Sequence, residues 1–206
     1  MRRLLSDLIR QGYLKTDLII EAFSKIDRAE FVPDELKNRI EEDIPLPIGF
    51  GQTISQPLTV AFMLELLNPQ GKQNILDLGS GSGWTTALLS HIVGRDGKVT
   101  AIEIIEELCK WGEANTDKFE FVKNGIAEFH CIDGNKGYEK NAPYDRILVS
   151  AMAEKIPTAL KNQLKIGGKM VIPMRGGVWL LKKRGEKDFY AEEYPGFSFV
   201  PFIQEV

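Results

Sequence analysis

Residues 76–84 read LDLGSGSGW, and no other stretch narrows the fold as much. An apolar run ends, three alternating glycines follow, and a helical pattern opens at Trp84. Gly79, Gly81 and Gly83 permit a tight turn and let main-chain N–H groups come close to a ligand. The turn therefore reads as the link between a strand, NILDLG, and a helix, WTTALLSHIV. The same alternation continues through KVTAIE, IIEELCKWGEA, EFHCID, DRILVS, EKIPTALKNQL and GGKMVIPM. Continuous apolar strands separated by helices indicate a parallel sheet covered on both faces. The last stretches, VWLLKKR and FSFVPFI, have no helix between them and are expected to pair antiparallel at the sheet edge. The expected fold class is α/β and Rossmann-like: a doubly wound, mostly parallel sheet with an antiparallel edge hairpin and a helical N-terminal extension.

Ahead of that core, apolar residues at 4, 5, 8 and 9 are interrupted by Asp7 and Arg10, which makes an amphipathic helix and not a signal-peptide core. A second helix is expected to start near Thr16 and Asp17, either of which can cap it, and a third to span residues 34–40. Pro45 and Pro47 each restrict the residue before them, so residues 43–51 read as a loop or short extended arm. The next helix begins at Pro57, a favoured first-turn residue. One domain is expected over residues 1–206, with 1–56 as helical extension and active-site loop and 57–206 as the cofactor-binding core.

Composition orders the remaining choices. A net charge of −3 supplies no basic field for phosphate backbones, so nucleic acid is not an expected partner. The run Lys182, Lys183, Arg184 reads as a solvated strand end. No stretch approaches the roughly 18 apolar residues of a membrane span. Two histidines, His91 and His130, stand far apart, and no metal is expected. Cys109 and Cys131 lack C-x-x-C spacing and read as reduced thiols in a cytoplasmic protein. A monomer is expected.

What the strand ends carry points to the ligand. A dinucleotide fingerprint, G-x-G-x-x-G, needs a glycine where this chain has Trp84 or Thr86. Glu103 closes the second strand, where a carboxylate can accept from both hydroxyls of a ribose. Asp133 and Gly134 close the third, where a carboxylate can accept from an adenine amino group. Asp77, Gly79, Ser80, Gly81, Gly83, Glu103, Asp133 and Gly134 together suit S-adenosyl-L-methionine: an adenosine to grip and no pyrophosphate to cradle.

The blocks IGFGQTISQPLTVAFMLELL, ILDLGSGSGWTTALLSHIVG, KVTAIE, IDGNKGY, PYDRILVSAMAEKIPTALKNQLKIGGKMVIP and FVPF, in this order over nearly the whole chain, resemble the protein-L-isoaspartate (D-aspartate) O-methyltransferase family. The glycine motif is shared by many methyltransferases; GQTISQP and the IP…QLK.GGK…IP block are much more particular to this one. The resemblance implies that Ser55 is the active-site serine, that Gln52, Thr53 and Ile54 line the same entrance, and that Val200 offers main-chain groups to substrate. It also implies the substrate: damaged proteins and peptides in which the chain runs through an aspartyl side-chain carbonyl and leaves the α-carboxylate free, with D-aspartyl acceptors also in scope. Methylation of that carboxylate gives an ester and S-adenosyl-L-homocysteine. The ester closes to a succinimide, whose hydrolysis returns some normal aspartate.

Ser55 also stands where a hydroxyl can cap the helix at Pro57, with Gln56 as the other candidate. Three places depart from the family pattern: Ile132, expected to crowd the adenine edge; Met174 and Arg175 after GGKMVIP; and Phe202 and Ile203 after VP. They leave open a same-fold transferase with a different small-molecule or peptide acceptor, or a cofactor-binding module without turnover.

Overall fold

The structure is a computed structural model and describes residues 2–199. Two short helices, α1 (Arg2–Arg10) and α2 (Asp17–Lys25), open the chain, followed by 3-10 turns at Arg28–Phe31 and Asp34–Arg39. The proline-containing arm is extended, as its prolines require. It forms an antiparallel pair, β1 (Leu46–Gly49) with β2 (Gln52–Ile54), before α3 (Pro57–Leu67).

Beyond it the alternating pattern folds as β3 (Asn74–Leu78), α4 (Trp84–Val93), β4 (Lys98–Glu103), α5 (Glu106–Asp117), β5 (Ala127–Cys131), β6 (Tyr144–Val149), α6 (Thr158–Gln163) and β7 (Leu164–Met174). The last strands are β8 (Gly177–Lys183) and β9 (Phe189–Pro195). The sheet order is β5-β4-β3-β6-β7-β8-β9; β5 through β7 are parallel neighbours, and β8 and β9 are antiparallel additions.

Alternate strand residues feed two cores, as expected of strands buried on both faces. Ile75, Val99, Leu148 and Val171 join a cluster with α3 and α4, and the N-terminal Leu4, Leu8, Leu14, Ile19 and Phe23 belong to the same cluster. Phe23 meets Trp84 edge-on at 5.6 Å. Leu76, Ile102, Ile147 and Met170 face the other way, where the regular structure is short: α6 and 3-10 turns at Gly134–Lys136 and Glu139–Asn141.

Four expectations need correction. First, β8 pairs with β9, residues 189–195, ahead of the FSFVPFI stretch expected to be its partner. An edge strand buries only part of its surface, so the acids of FYAEEYP, with Glu193 exposed, concealed it. Residues 197–199 are irregular and 200–203 lie outside the described residues. Second, neither Ser55 nor Gln56 caps α3 with its side chain. Gln56 takes the N-cap position, but Asp43 supplies the acceptor: Oδ1 receives the Leu58 N–H at 2.8 Å and Oδ2 receives Gln56 Nε2 at 3.1 Å.

Third, Lys183 is buried and not solvated; its Nζ donates to the carbonyls of Lys161 and Leu164 at 3.1 and 2.8 Å. Fourth, Cys109 and Cys131 are paired in a disulfide, their Cα atoms 5.7 Å apart. α5 packs back along the strand that follows it, so residues 22 apart in sequence meet. The cysteines therefore no longer argue for a reducing compartment. Among the described residues, no helix is long and apolar enough to cross a membrane, and no group of three or more His, Cys, Asp or Glu is placed to hold a metal.

Candidate active site

The strand order reverses at β3, which has β4 on one side and β6 on the other. Such a switch leaves a crevice at the carboxyl ends of the strands. Here a cleft of about 770 Å³ opens, walled by β1 and β2 of the arm, the glycine turn and the ends of β4 and β6. The turn is tied down by main-chain bonds: the N–H groups of Gly79 and Ser80 donate to the Ile102 carbonyl at 2.8 and 3.1 Å. Glu103, 7 % exposed, lines the cleft with its carboxylate oriented by two further N–H groups. Oε2 accepts from Gly81 at 2.9 Å and Oε1 from Ile105 at 3.1 Å, and each oxygen retains acceptor capacity.

Nine of the residues anticipated from sequence line this one cleft: Gln52, Thr53, Ile54, Ser55, Gly79, Ser80, Gly81, Glu103 and Gly134. Three do not, each for a structural reason. Asp77 is buried in β3, where Oδ2 accepts from the hydroxyls of Thr85 and Thr86 at 2.8 and 2.6 Å and Oδ1 has no hydrogen-bond partner among the described residues. Burial pushes its carboxyl up to about 6, against the lowering pull of the two hydroxyls. Gly83, at φ +90°, backs onto α5; a Cβ there would lie 2.5 Å from the Gly112 carbonyl oxygen. Asp133 caps the Gly134–Lys136 turn, accepting from the Asn135 N–H at 2.9 Å. Val200 lies outside the described residues.

A second cleft, of about 950 Å³, adjoins the first. Among the described residues its lining is Pro45, Thr53, Ser55, Gln56, Thr59, Ser150, Ser198 and Phe199, none of them charged. Thr53, Ser55 and Ser150 line both clefts and so mark their junction. Ser150 is the residue that sequence reasoning missed. It follows β6 directly, its N–H donating to the Leu78 carbonyl at 2.8 Å. The rule that singled out Glu103 and Asp133 at strand ends applied equally to it.

Ile132 is 40 % exposed and does not line the cofactor-side cleft. Arg175 is exposed in the turn between β7 and β8, while Phe202 and Ile203 fall outside the described residues.

The first cleft fits an adenosine-bearing sulfonium better than a pyrophosphate. It offers a carboxylate for a ribose diol, apolar walls at Leu78 and Ile102, and the buried Ser80 hydroxyl, which has no hydrogen-bond partner among the described residues. No arginine or lysine lines it.

Known proteins agree with this geometry. The sequence profile described as Protein-L-isoaspartate(D-aspartate) O-methyltransferase (PCMT) matches residues 1–206. The protein-L-isoaspartate O-methyltransferase of Methanopyrus kandleri is 42 % identical over 210 residues, covering 98 % of this chain and 91 % of that one. Its counterpart from Ignicoccus hospitalis is 39 % identical over 208 residues, covering 99 % and 97 %. A solved Plasmodium falciparum structure, named for the same methyltransferase and holding S-adenosyl-L-homocysteine, superposes with a TM-score of 0.88 over 98 % of each chain. At 22 % identity that likeness speaks for the fold.

Proposed function

The chain belongs to the protein-L-isoaspartate(D-aspartate) O-methyltransferase family, and from that premise we propose that the junction at Thr53, Ser55 and Ser150 is where an isoaspartyl carboxylate meets the methyl donor. The shared lining of the two clefts is the observation that carries this reading. Glu103, the Gly79–Gly81 turn and Gly134 hold S-adenosyl-L-methionine, which supplies an electrophilic methyl on a sulfonium and leaves as S-adenosyl-L-homocysteine. Asp77 and Gly83 support that site from behind, and Asp133 shapes its adenine edge. Damaged proteins and peptides are the acceptors; a D-aspartyl side-chain carboxylate presents the same group. A site without metal, a monomer, a single domain and a cytoplasmic location complete the proposal.

The chemistry asks little of the protein's acids and bases. An acceptor carboxylate of pKa about 3.5–4 is already ionised at neutral pH and needs no general base. Its oxygen forms the new bond to carbon as the carbon–sulfur bond breaks, so the work left to the chain is orientation and exclusion of water. Ser55 Oγ donates to one carboxylate oxygen and aims the other. A hydroxyl does this without neutralising the nucleophile as an arginine or lysine would. The uncharged side chains that line the second cleft among the described residues support that reading.

The test is methyl transfer from labelled S-adenosyl-L-methionine to two peptides that differ only in one aspartyl linkage. Base-labile label on the isoaspartyl peptide alone is expected. Label on neither, with cofactor binding intact, would mean another acceptor or a binding module.

A further inference from the structure

Ser55 is placed by its main chain, because its Oγ makes no hydrogen bond within the described protein. What holds that main chain is therefore a question about catalysis. Part of the answer is a buried charge. Arg28, in the Arg28–Phe31 turn, is 0 % exposed, a rare position for an arginine. Among the described residues it makes no ion pair. Nη1 donates to the carbonyls of Ile40 and Glu42 at 3.4 and 3.2 Å, and Nη2 to those of Ile44 and Ser55 at 2.8 and 3.1 Å. Its guanidinium lies 5.5 Å from the ring centre of Trp84, which lines the cofactor-side cleft. Burial brings its pKa down to about 10, opposed by the charges of Asp43 and Glu42, so it remains a cation at neutral pH.

Main-chain carbonyls of two separate segments thus converge on one planar fork. Such an arrangement fixes the path of a loop; a lysine, with a single point of charge, cannot reproduce it. Asp43, from the same 40–44 segment, grips the other end of the loop through Leu58 N–H and Gln56 Nε2. Residues 55–58 are therefore held from both ends by groups outside the clefts.

We infer that Arg28, with Asp43 as its partner jaw, is a positioning residue for methyl transfer: it clamps the Ser55 carbonyl and so sets the Ser55 hydroxyl at the junction of the two clefts. The inference rests on the function proposed above. It separates Arg28 from the cofactor grip, which Glu103 and the glycine turn provide.

The experiment compares wild type, Arg28→Lys, Ser55→Ala and the double variant in turnover, cofactor binding and amide hydrogen exchange. Arg28→Lys is expected to lower kcat about 10–100-fold, as misplacement of a reacting group does. Its Kd for S-adenosyl-L-methionine should stay within about threefold of wild type, exchange at residues 52–56 should quicken, and Ser55→Ala should leave nothing further to lose. Turnover within about twofold of wild type, unchanged exchange at 52–56, or losses that multiply in the double variant would each overturn the inference. If Arg28→Lys does not fold, Asp43→Ala is put through the same measurements and the same outcomes decide. The exchange readout needs no acceptor. A wild type that binds cofactor but ignores the isoaspartyl peptide would therefore sink the function proposal and leave the clamp to be judged on exchange.

Discussion

On the cofactor side, Glu103 is gripped by the N–H groups of Gly81 and Ile105, and a second carboxylate, Asp77, is buried nearby in β3; among the described residues, those lining the adjoining cleft are neutral. The contrast follows from what each side handles. A ribose diol and a positively charged sulfonium are compatible with carboxylates. An anionic nucleophile needs hydrogen bonds that orient it and no cation that quenches it. The cofactor side also rests on strand ends of the main sheet, whereas Ser55, at the junction with the acceptor side, and the residues after it are fixed by side chains distant in sequence.

If that division holds, variants on the two sides will fail differently. The largest effect is expected at Ser55→Ala, with kcat lower by about 10²–10³-fold, the range for loss of an aimed donor. Calorimetry should find S-adenosyl-L-methionine binding preserved; parallel loss of both would erase the division.

Next comes Asp77→Asn, which should stabilise the cofactor-free protein. The carboxyl's folded pKa, about 6, lies above its ordinary 3.8, so the folded state holds the proton more tightly. The contribution of this one carboxyl to wild-type stability is therefore full below pH about 4 and is lost as pH rises through 6. Denaturation should show the variant gaining on wild type across that window, by on the order of 2–3 kcal/mol at pH 7. A pH-independent difference would contradict the assignment.

Glu103→Gln is expected to weaken cofactor binding by about 1.5–2 kcal/mol, the worth of a hydrogen bond to a charged group. Saturating cofactor should restore most of its kcat. The smallest effect falls at the junction: Ser150→Ala should cost about 0.5–1.5 kcal/mol in kcat/KM for the peptide. Equal loss in cofactor affinity would place Ser150 on the cofactor side instead.

The elements were legible in the sequence because apolar periodicity and glycine spacing are local signals. The Gly79–Gly81 turn, Glu103 and the Gln52–Ser55 arm all come together in one cleft. What escaped were pairings between positions far apart in sequence. Asp43 capping a helix 15 residues on, Arg28 reaching Ser55, and Cys109 meeting Cys131 leave no periodic trace. β9 escaped for the opposite reason: its pattern is local, but acids on an exposed edge look like a loop. Gly83 was marked for the cofactor, whereas the constraint visible on it is packing against Gly112, which only the helix placement reveals.

The Cys109–Cys131 bond also changes the unfolded chain. It closes residues 109–131 into a covalent ring that includes Gly112, whose carbonyl backs the cofactor turn, and reaches the strand leading to Gly134. A ring of that length removes conformational freedom worth about 3 kcal/mol from the denatured ensemble. The wall behind the cofactor cleft is thus favoured partly because the alternatives to it are fewer.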